Sequence, residues 1–239
     1  MENIIIEDLF EKYKTILVFK KQKIIFVQSK EDKAYRIANS IIEELPYTKI
    51  VDKKRSYIRV YNKINNKKKW GIIDSYGQVI VPLIYDYVSK VYGKDYFKVF
   101  TGDAAWDYIE ESSGLFDELI DNSGWNGSYY LETLGFGQWG IVSGKNIIVP
   151  IVYEWVELIS DNHFLCNIGG SRIIKWHDGN IRRNQKAIVD GKWEIRDESK
   201  IIVFSGSLEE VMTKFNSIYK SSIKHSVYKQ AIGKYNSKK

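Results

Sequence analysis

Lys69-Trp70-Gly71-Ile72-Ile73-Asp74, then Gly77, then Val79-Ile80-Val81-Pro82-Leu83-Ile84-Tyr85-Asp86, returns later in the chain as a second version of itself. That version reads Gln138-Trp139-Gly140-Ile141-Val142-Ser143-Gly144, then Ile147-Ile148-Val149-Pro150-Ile151-Val152-Tyr153-Glu154. Tryptophan and proline lie 12 residues apart in the first and 11 in the second, and proline and tyrosine lie 3 apart in both. Two of the chain's three prolines therefore hold equivalent places, which marks an internal repeat. Each version spells a β-hairpin. Trp70 and Ile72 share parity and point to one face of a strand. A turn containing Gly77 follows, and Val79 and Val81 share a face on the return. In the second copy the turn is Ser143-Gly144-Lys145-Asn146, one residue shorter. Pro82 and Pro150 are expected to end the return strands, because proline cannot donate to a ladder. Gly71 and Gly140 leave room for close backbone approach beside the indoles, and the two tryptophans read as core rather than as ligand platforms.

These residues resemble the WG-repeat family, also called KWG repeats, closely over 69–86 and 138–154. In that family an aromatic-rich strand precedes the Trp-Gly pair, and Tyr57-Ile58-Arg59-Val60 stands in that place before the first unit. The 69 residues between Trp70 and Trp139 leave room for a degenerate middle unit and an insertion. Tyr96-Phe97-Lys98-Val99 is expected to lead that unit, with Trp106-Asp107-Tyr108-Ile109 in place of Trp-Gly. A third candidate is Gly191-Lys192-Trp193-Glu194-Ile195-Arg196-Asp197, where Glu194 replaces the glycine. The resemblance implies a binding scaffold without a shared catalytic set. It makes Trp70, Gly71, Pro82, Tyr85, Trp139, Gly140, Pro150 and Tyr153 structural residues.

The flanks extend the pattern. Ile16-Leu17-Val18-Phe19 and Ile24-Ile25-Phe26-Val27, separated by Lys20-Lys21-Gln22-Lys23, read as a hairpin. Ser29 is expected to cap a helix running to Leu45, with Ala34, Ile37, Ala38, Ile41, Ile42 and Leu45 as its stripe and Pro46 as its stop. Asp-Gly pairs at Asp178-Gly179 and Asp190-Gly191 signal two more hairpins. Ser207-Leu208-Glu209-Glu210 is a capping-box pattern. Leu208, Val211, Met212, Phe215, Ile218 and Tyr219 follow at helical spacing, for a helix that packs on the sheet or closes its end. The fold class is thus mainly β (α+β overall): antiparallel hairpin repeats with a small N-terminal α+β head and a C-terminal helix. Residues 1–50 form the head, 51–205 the repeat region with an acidic insertion at 101–132, and 206–239 the helix and tail.

Composition narrows the function classes. The 239 residues are 44% hydrophobic and 28% charged, the balance of a soluble globular protein. A single cysteine, Cys166, excludes an intramolecular disulfide framework. No apolar run reaches the length of a membrane helix, and Met1-Glu2-Asn3 with Ile4-Ile5-Ile6 does not read as a secretory signal, so no membrane association and a cytoplasmic location are expected. The net charge of +6 hides strong segregation. Residues 1–69 carry +8, residues 70–170 carry −10 and residues 171–239 carry +8. No Lys or Arg occurs from Thr101 to Gly144, where eight carboxylates fall: Asp103, Asp107, Glu110, Glu111, Asp117, Glu118, Asp121 and Glu132. Solvated faces, internal complementarity and recognition of an oppositely charged partner all account for such a pattern.

Reactive constellations are sparse, and neither a cofactor nor a metal is expected. Gly135-Phe136-Gly137-Gln138-Trp139-Gly140 has the letters of a dinucleotide fingerprint, but a strand continues where the helix should open. His163 and Cys166, three apart on a strand, face opposite ways and cannot share a metal. Cys166 reads as a small buried hydrophobe. Asp117 and Asp121 share a face if Leu115–Ile120 is helical, which by itself is solvated charge. Lys49-Ile50-Val51-Asp52-Lys53-Lys54-Arg55 and Lys67-Lys68-Lys69, with Tyr57 and Tyr61 for stacking, suit nucleic acid; charged edge strands and hairpin tips account for them equally. The leading expectation is a non-enzymatic protein-binding module. Trp106, Asp107, Glu110, Glu111, Asp117, Glu118, Asp121 and Trp125, with Tyr108, Tyr129 and Tyr130 nearby, form an acidic aromatic surface suited to a basic protein. An immunity protein or inhibitor that plugs a basic active site has this character. Nucleic-acid association through the basic flanks is the alternative.

Overall fold

Residues 13–89, 94–102, 131–133, 137–175 and 186–219 are described by the computed structural model, and over them the chain is almost wholly β. The first sheet holds β1 (Tyr13–Phe19), β2 (Ile24–Ser29), β3 (Ala34–Ala38) and β4 (Ile41–Leu45) in sequence order. The second holds β5 (Lys49–Lys54), β6 (Tyr57–Ile64), β7 (Lys67–Asp74) and β8 (Val79–Tyr85), again in order. Next come β9 (Tyr87–Val88), β10 (Phe97–Gly102), β11 (Leu131–Thr133), β12 (Gly137–Ser143) and β13 (Asn146–Tyr153). Of these, four form a sheet ordered β13-β12-β10-β9. The remaining strands are β14 (Trp155–Leu158), β15 (His163–Ile168), β16 (Ser171–Lys175), β17 (Lys186–Val189), β18 (Lys192–Asp197) and β19 (Ile202–Gly206), followed by helix α1 (Leu208–Tyr219). Four of them make a sheet β14-β15-β18-β19, and β16 and β17 join β11 in a small sheet β11-β16-β17. The chain divides into two compact units, residues 1–99 with 142–146, and residues 100–141 with 147–239.

A common plan runs through three of the four-stranded sheets. The tryptophan strands β7, β12 and β18 are each third in their sheet, and their return strands β8, β13 and β19 are last. The repeat is therefore a four-stranded antiparallel unit, wider than the hairpin. Trp70 is completely buried between Tyr61 and Tyr87, with ring centroids 5.1 and 5.7 Å away. Trp139 is buried and packs on Phe100 at 4.9 Å. Trp193 is buried against Trp155 at 5.6 Å. The core reading of the tryptophans holds, and truncating a fully buried indole costs about 3–5 kcal/mol.

The glycines after Trp70 and Trp139 do the same work in both copies. A Cβ on Gly71 would lie 2.6 Å from the Val81 carbonyl oxygen and 2.8 Å from Leu83. A Cβ on Gly140 would lie 2.7 Å from the Val149 carbonyl oxygen and from Ile151. Val81 and Leu83 flank Pro82 as Val149 and Ile151 flank Pro150, so the two close approaches are equivalent residue by residue.

Several expectations need correction. Pro82 and Pro150 lie inside β8 and β13 rather than at their ends. Between the pairs Trp70–Tyr85 and Ile72–Val81, β8 carries Pro82, Leu83 and Ile84 against the single Gly71. A bulge of this kind leaves ladder positions open, so the missing proline N–H costs nothing there. The expected helix from Ser29 to Leu45 is the hairpin β3–β4, and over residues 13–50 the head is an antiparallel sheet rather than α+β. Asn39 and Ser40 have φ of 49° and 65°, the left-handed pair of a tight two-residue hairpin turn that no helix admits. Ser29 does accept backbone hydrogen bonds, from Glu31 N at 3.3 Å and Lys33 N at 3.1 Å, but it closes the β2–β3 turn. Tyr96–Val99 leads no middle unit. Phe97–Gly102 is β10, the strand beside the second tryptophan strand, so the long spacing is an insertion within one unit. Trp106-Asp107-Tyr108-Ile109 lies outside the described residues. Asp190-Gly191 closes no hairpin: β17 pairs with β16 and β18 with β15, so this turn switches the chain between sheets.

The C-terminal helix is present, and its cap is reciprocal. Ser207 N donates to the Glu210 carboxylate at 2.8 Å and Glu210 N donates to Ser207 Oγ at 3.3 Å. Val211, Met212 and Phe215 are buried with Trp155, Leu165, Trp193 and Ile195 against the last sheet. Ile218 and Tyr219, expected in the same stripe, are exposed.

Two kinds of substitution test this fold. Gly71→Ala or Gly140→Ala forces a methyl onto a backbone carbonyl and should lower unfolding free energy by about 1–3 kcal/mol in chemical denaturation. Ser40→Gly relieves a left-handed residue and should raise it by about 1 kcal/mol. In a helix the same change would lower it by a similar amount.

Candidate functional site

The residues singled out for partner binding, Trp106, Asp107, Glu110, Glu111, Asp117, Glu118, Asp121 and Trp125, lie outside the described residues, as do Tyr108, Tyr129 and Tyr130. The frame that carries them is described. Residues 103–136 separate β10 from β12, and residues 169–191 separate β15 from β18. Both excursions leave at the same station of the four-stranded plan, between its second and third strands. Their strands then meet in one small sheet. β11, from the first excursion, pairs antiparallel with β16 from the second, Leu131 opposite Lys175 and Thr133 opposite Ile173. β16 in turn pairs with β17, Ser171 opposite Val189. The acidic stretch thus runs directly into a strand anchored in a sheet built only from insertions.

Two networks of partnered polar groups converge inside the fold. In the second unit the Tyr153 hydroxyl donates to Glu194 Oε2 at 2.8 Å and accepts from Arg196 Nε. Arg196 Nε also lies 3.4 Å from the Glu194 carboxylate, and its NH1 donates to the Lys200 carbonyl at 3.0 Å. Cys166 stands opposite Glu194 in the β15–β18 register. Burial, and then the bond to Glu194, push the Tyr153 phenol well above its ordinary value. Burial likewise pushes the Cys166 thiol far up, which keeps it protonated and poorly nucleophilic. In the first unit Arg59 grips Asp52 with two bonds of 2.8 Å. It also donates to the Tyr87 hydroxyl at 3.1 Å and the Val88 carbonyl at 3.2 Å. Its guanidinium lies over the Trp70 ring. Burial opposes the Arg59 charge, but Asp52 and Tyr87 outweigh it and hold the group charged. Lys69 binds Asp86 at 2.6 Å.

The sequence reading missed both networks, though each left a trace. Glu194 is an acid where the repeat has glycine, with Arg196 two residues on and so on the same face. Asp52 is the single carboxylate in an otherwise basic strand.

The other sequence candidates fall as follows. Gly137 to Gly140 lie within β12, so the glycine pattern continues as a strand and opens no helix. His163 and Cys166 sit on β15 with the opposite parity expected, and no group of metal-ligating residues occurs among the described residues. The basic stretch forms the edge strand β5 and part of β7. Lys53 donates to the Val18 carbonyl and lies over the Phe19 ring. Arg55 pairs with Asp95 at 3.6 Å, and Lys68 lies over Tyr61. Tyr61 is buried on Trp70, and Tyr57 packs edge-on against Phe97, so neither ring is an open stacking platform. Among the described residues no helix is long and apolar enough to cross a membrane. No protein-family model matches the chain, and no curated protein matches it either.

Tyr153→Phe keeps the ring but withdraws a donor from a buried carboxylate. It should cost about 1.5–3 kcal/mol in chemical denaturation, and much less when Glu194→Gln is already present. Cys166 should stay unmodified by a thiol reagent under native conditions and react only as denaturant opens the sheet.

Proposed function

We propose that this chain is a non-enzymatic protein-binding module of WG-repeat type, acting in the cytoplasm, which presents an acidic aromatic surface to a basic protein. The observation that carries the reading is the common departure point of the two insertions and their union in the sheet β11-β16-β17. A repeat scaffold that keeps its own hairpins regular and gathers its excursions at one station is organised to display them. The excursion feeding β11 holds the eight carboxylates of residues 101–144 and no compensating Lys or Arg. Trp106, Tyr108, Trp125, Tyr129 and Tyr130 lie among them, and aromatics beside acids supply both desolvated anchors and a steering field. An inhibitor or immunity protein seated on a basic active site is the form of partner recognition that this charge pattern favours. The mutual partnering of Tyr153, Glu194 and Arg196, and the burial of Cys166, support a packing role for the groups best placed to react.

Capture of partners by the tagged full chain tests the reading. Asp107, Glu110, Glu111, Asp117 and Glu118 are changed together to Lys, and partners are compared across salt concentrations. Basic partners should be lost by the variant, and capture by the native chain should weaken steeply with salt. The same partners retained at the same salt dependence would refute it.

A further inference from the structure

His163 opens β15 and sits under the last turn of α1. The residue is 7% exposed although it lies at the end of a strand. The ring centroid is 4.5 Å from that of Tyr219 and 5.2 Å from that of Phe215, and these two rings stack on each other at 4.7 Å. Nδ1 is 2.9 Å from Ser160 Oγ, and the His163 carbonyl accepts from Ile159 N at 2.9 Å, so the β14–β15 turn is built on this residue. Two carboxylates face it: Asp197, its register partner on β18, and Glu198 in the turn that follows. From α1 the titratable group against it is Tyr219. The carboxylates favour an imidazolium, but burial disfavours it more, and the ring is held below the usual histidine range.

We propose that His163 is a pH-sensitive latch for the C-terminal helix: the neutral ring is the platform on which Phe215 and Tyr219 rest, and its protonation frees the last turn of α1 from the sheet. The sign follows from linkage. The docked histidine has the lower pKa, so the released state binds more protons as the pH falls below about 6.5, the free value. Docking is complete above that value and is lost as pH drops through the docked pKa. The first turn of α1 does not share this dependence. Its cap rests on Glu210, whose carboxyl is held below its ordinary value by the Ser207 backbone N–H and then by the Ser207 side chain. Loosening should therefore be confined to the last turn, beyond the anchors Val211, Met212 and Phe215.

Hydrogen exchange of the full chain at about pH 7.5 and about pH 5, corrected for intrinsic rates, provides the test. Protection of residues 216–219 should fall severalfold at the lower pH while that of the sheet amides stays constant, and His163→Gln should abolish the difference. Equal protection at both pH values, or an unchanged response in His163→Gln, would overturn the proposal. Proton NMR of the native chain supplies a measurement that needs no variant. The His163 ring should titrate below about 6.5, the free value, in step with the loss of protection; a midpoint at or above that value would sink the latch.

Discussion

A backbone carbonyl resting where a side chain should be is the constraint on which the repeat depends. At Gly71 and Gly140 the return strand crosses so near that its Val81 or Val149 oxygen occupies the space a Cβ would need. That approach is possible only if the return strand bulges, and the bulge is where Pro82 sits in β8. The adjacent indole then fills the layer beneath. Tryptophan, glycine and proline, scattered over about a dozen residues of sequence, are thus one device: one supplies buried mass, one supplies space, and one tolerates the interrupted ladder. The Tyr-acid pair that ends each copy has its own part. A single residue, Asp86 or Glu154, separates β8 from β9 and β13 from β14, so the chain steps from the edge of one sheet into the first strand of the next without a loop.

The third unit shows what happens when the device is altered. Glu194 stands where glycine would be, and it faces Ser205 across β18–β19 in a pairing without a proline bulge. A carboxylate there must be satisfied or expelled, because an unpaired buried charge costs several kcal/mol, on the order of a domain's whole stability. Tyr153 and Arg196 satisfy it. Tyr153 belongs to the preceding copy, so the tyrosine of one repeat completes the tryptophan strand of the next. Steric fit in the first two units gives way to a hydrogen-bonded joint in the third.

Legibility in the sequence followed the physics. The two good hairpins were readable because glycine and proline have few alternative uses, and their spacing repeated. The helix α1 was readable because Ser207 and Glu210 form a local cap whose geometry needs no distant partner. Residues 29–45 misled because Ala34, Ile37, Ala38, Ile41 and Ile42 satisfy a helical stripe and a pair of short strands equally. What decided the matter was Asn39-Ser40, a weaker turn signal than Asn-Gly, held left-handed by the sheet around it. Long-range pairing was invisible. Nothing local in Phe97–Gly102 says that its neighbour begins at Gly137, and nothing in Asp190-Gly191 says that it joins two sheets. The Arg59–Asp52 and Tyr153–Glu194–Arg196 networks were hidden for the same reason, since charge partners on neighbouring strands leave only an odd residue in each.

Energetics explain why the insertions fall where they do. In the second sheet the link between second and third strands is the two-residue turn Asn65-Asn66, whereas the equivalent links elsewhere are 34 and 23 residues long, 103–136 and 169–191. Closure entropy grows only logarithmically, so lengthening such a link from a tight turn costs about 2–3 kcal/mol. A single buried tryptophan on the third strand, worth about 3–5 kcal/mol, offsets that cost. The second-to-third link can therefore be opened without losing the core, because the strand that follows carries the indole that pulls it back. Pairing β11 with β16 recovers part of the entropy by cross-linking one excursion to the other. A scaffold with this property can change the content of its excursions while its hairpins stay fixed, and that freedom is what a recognition surface requires.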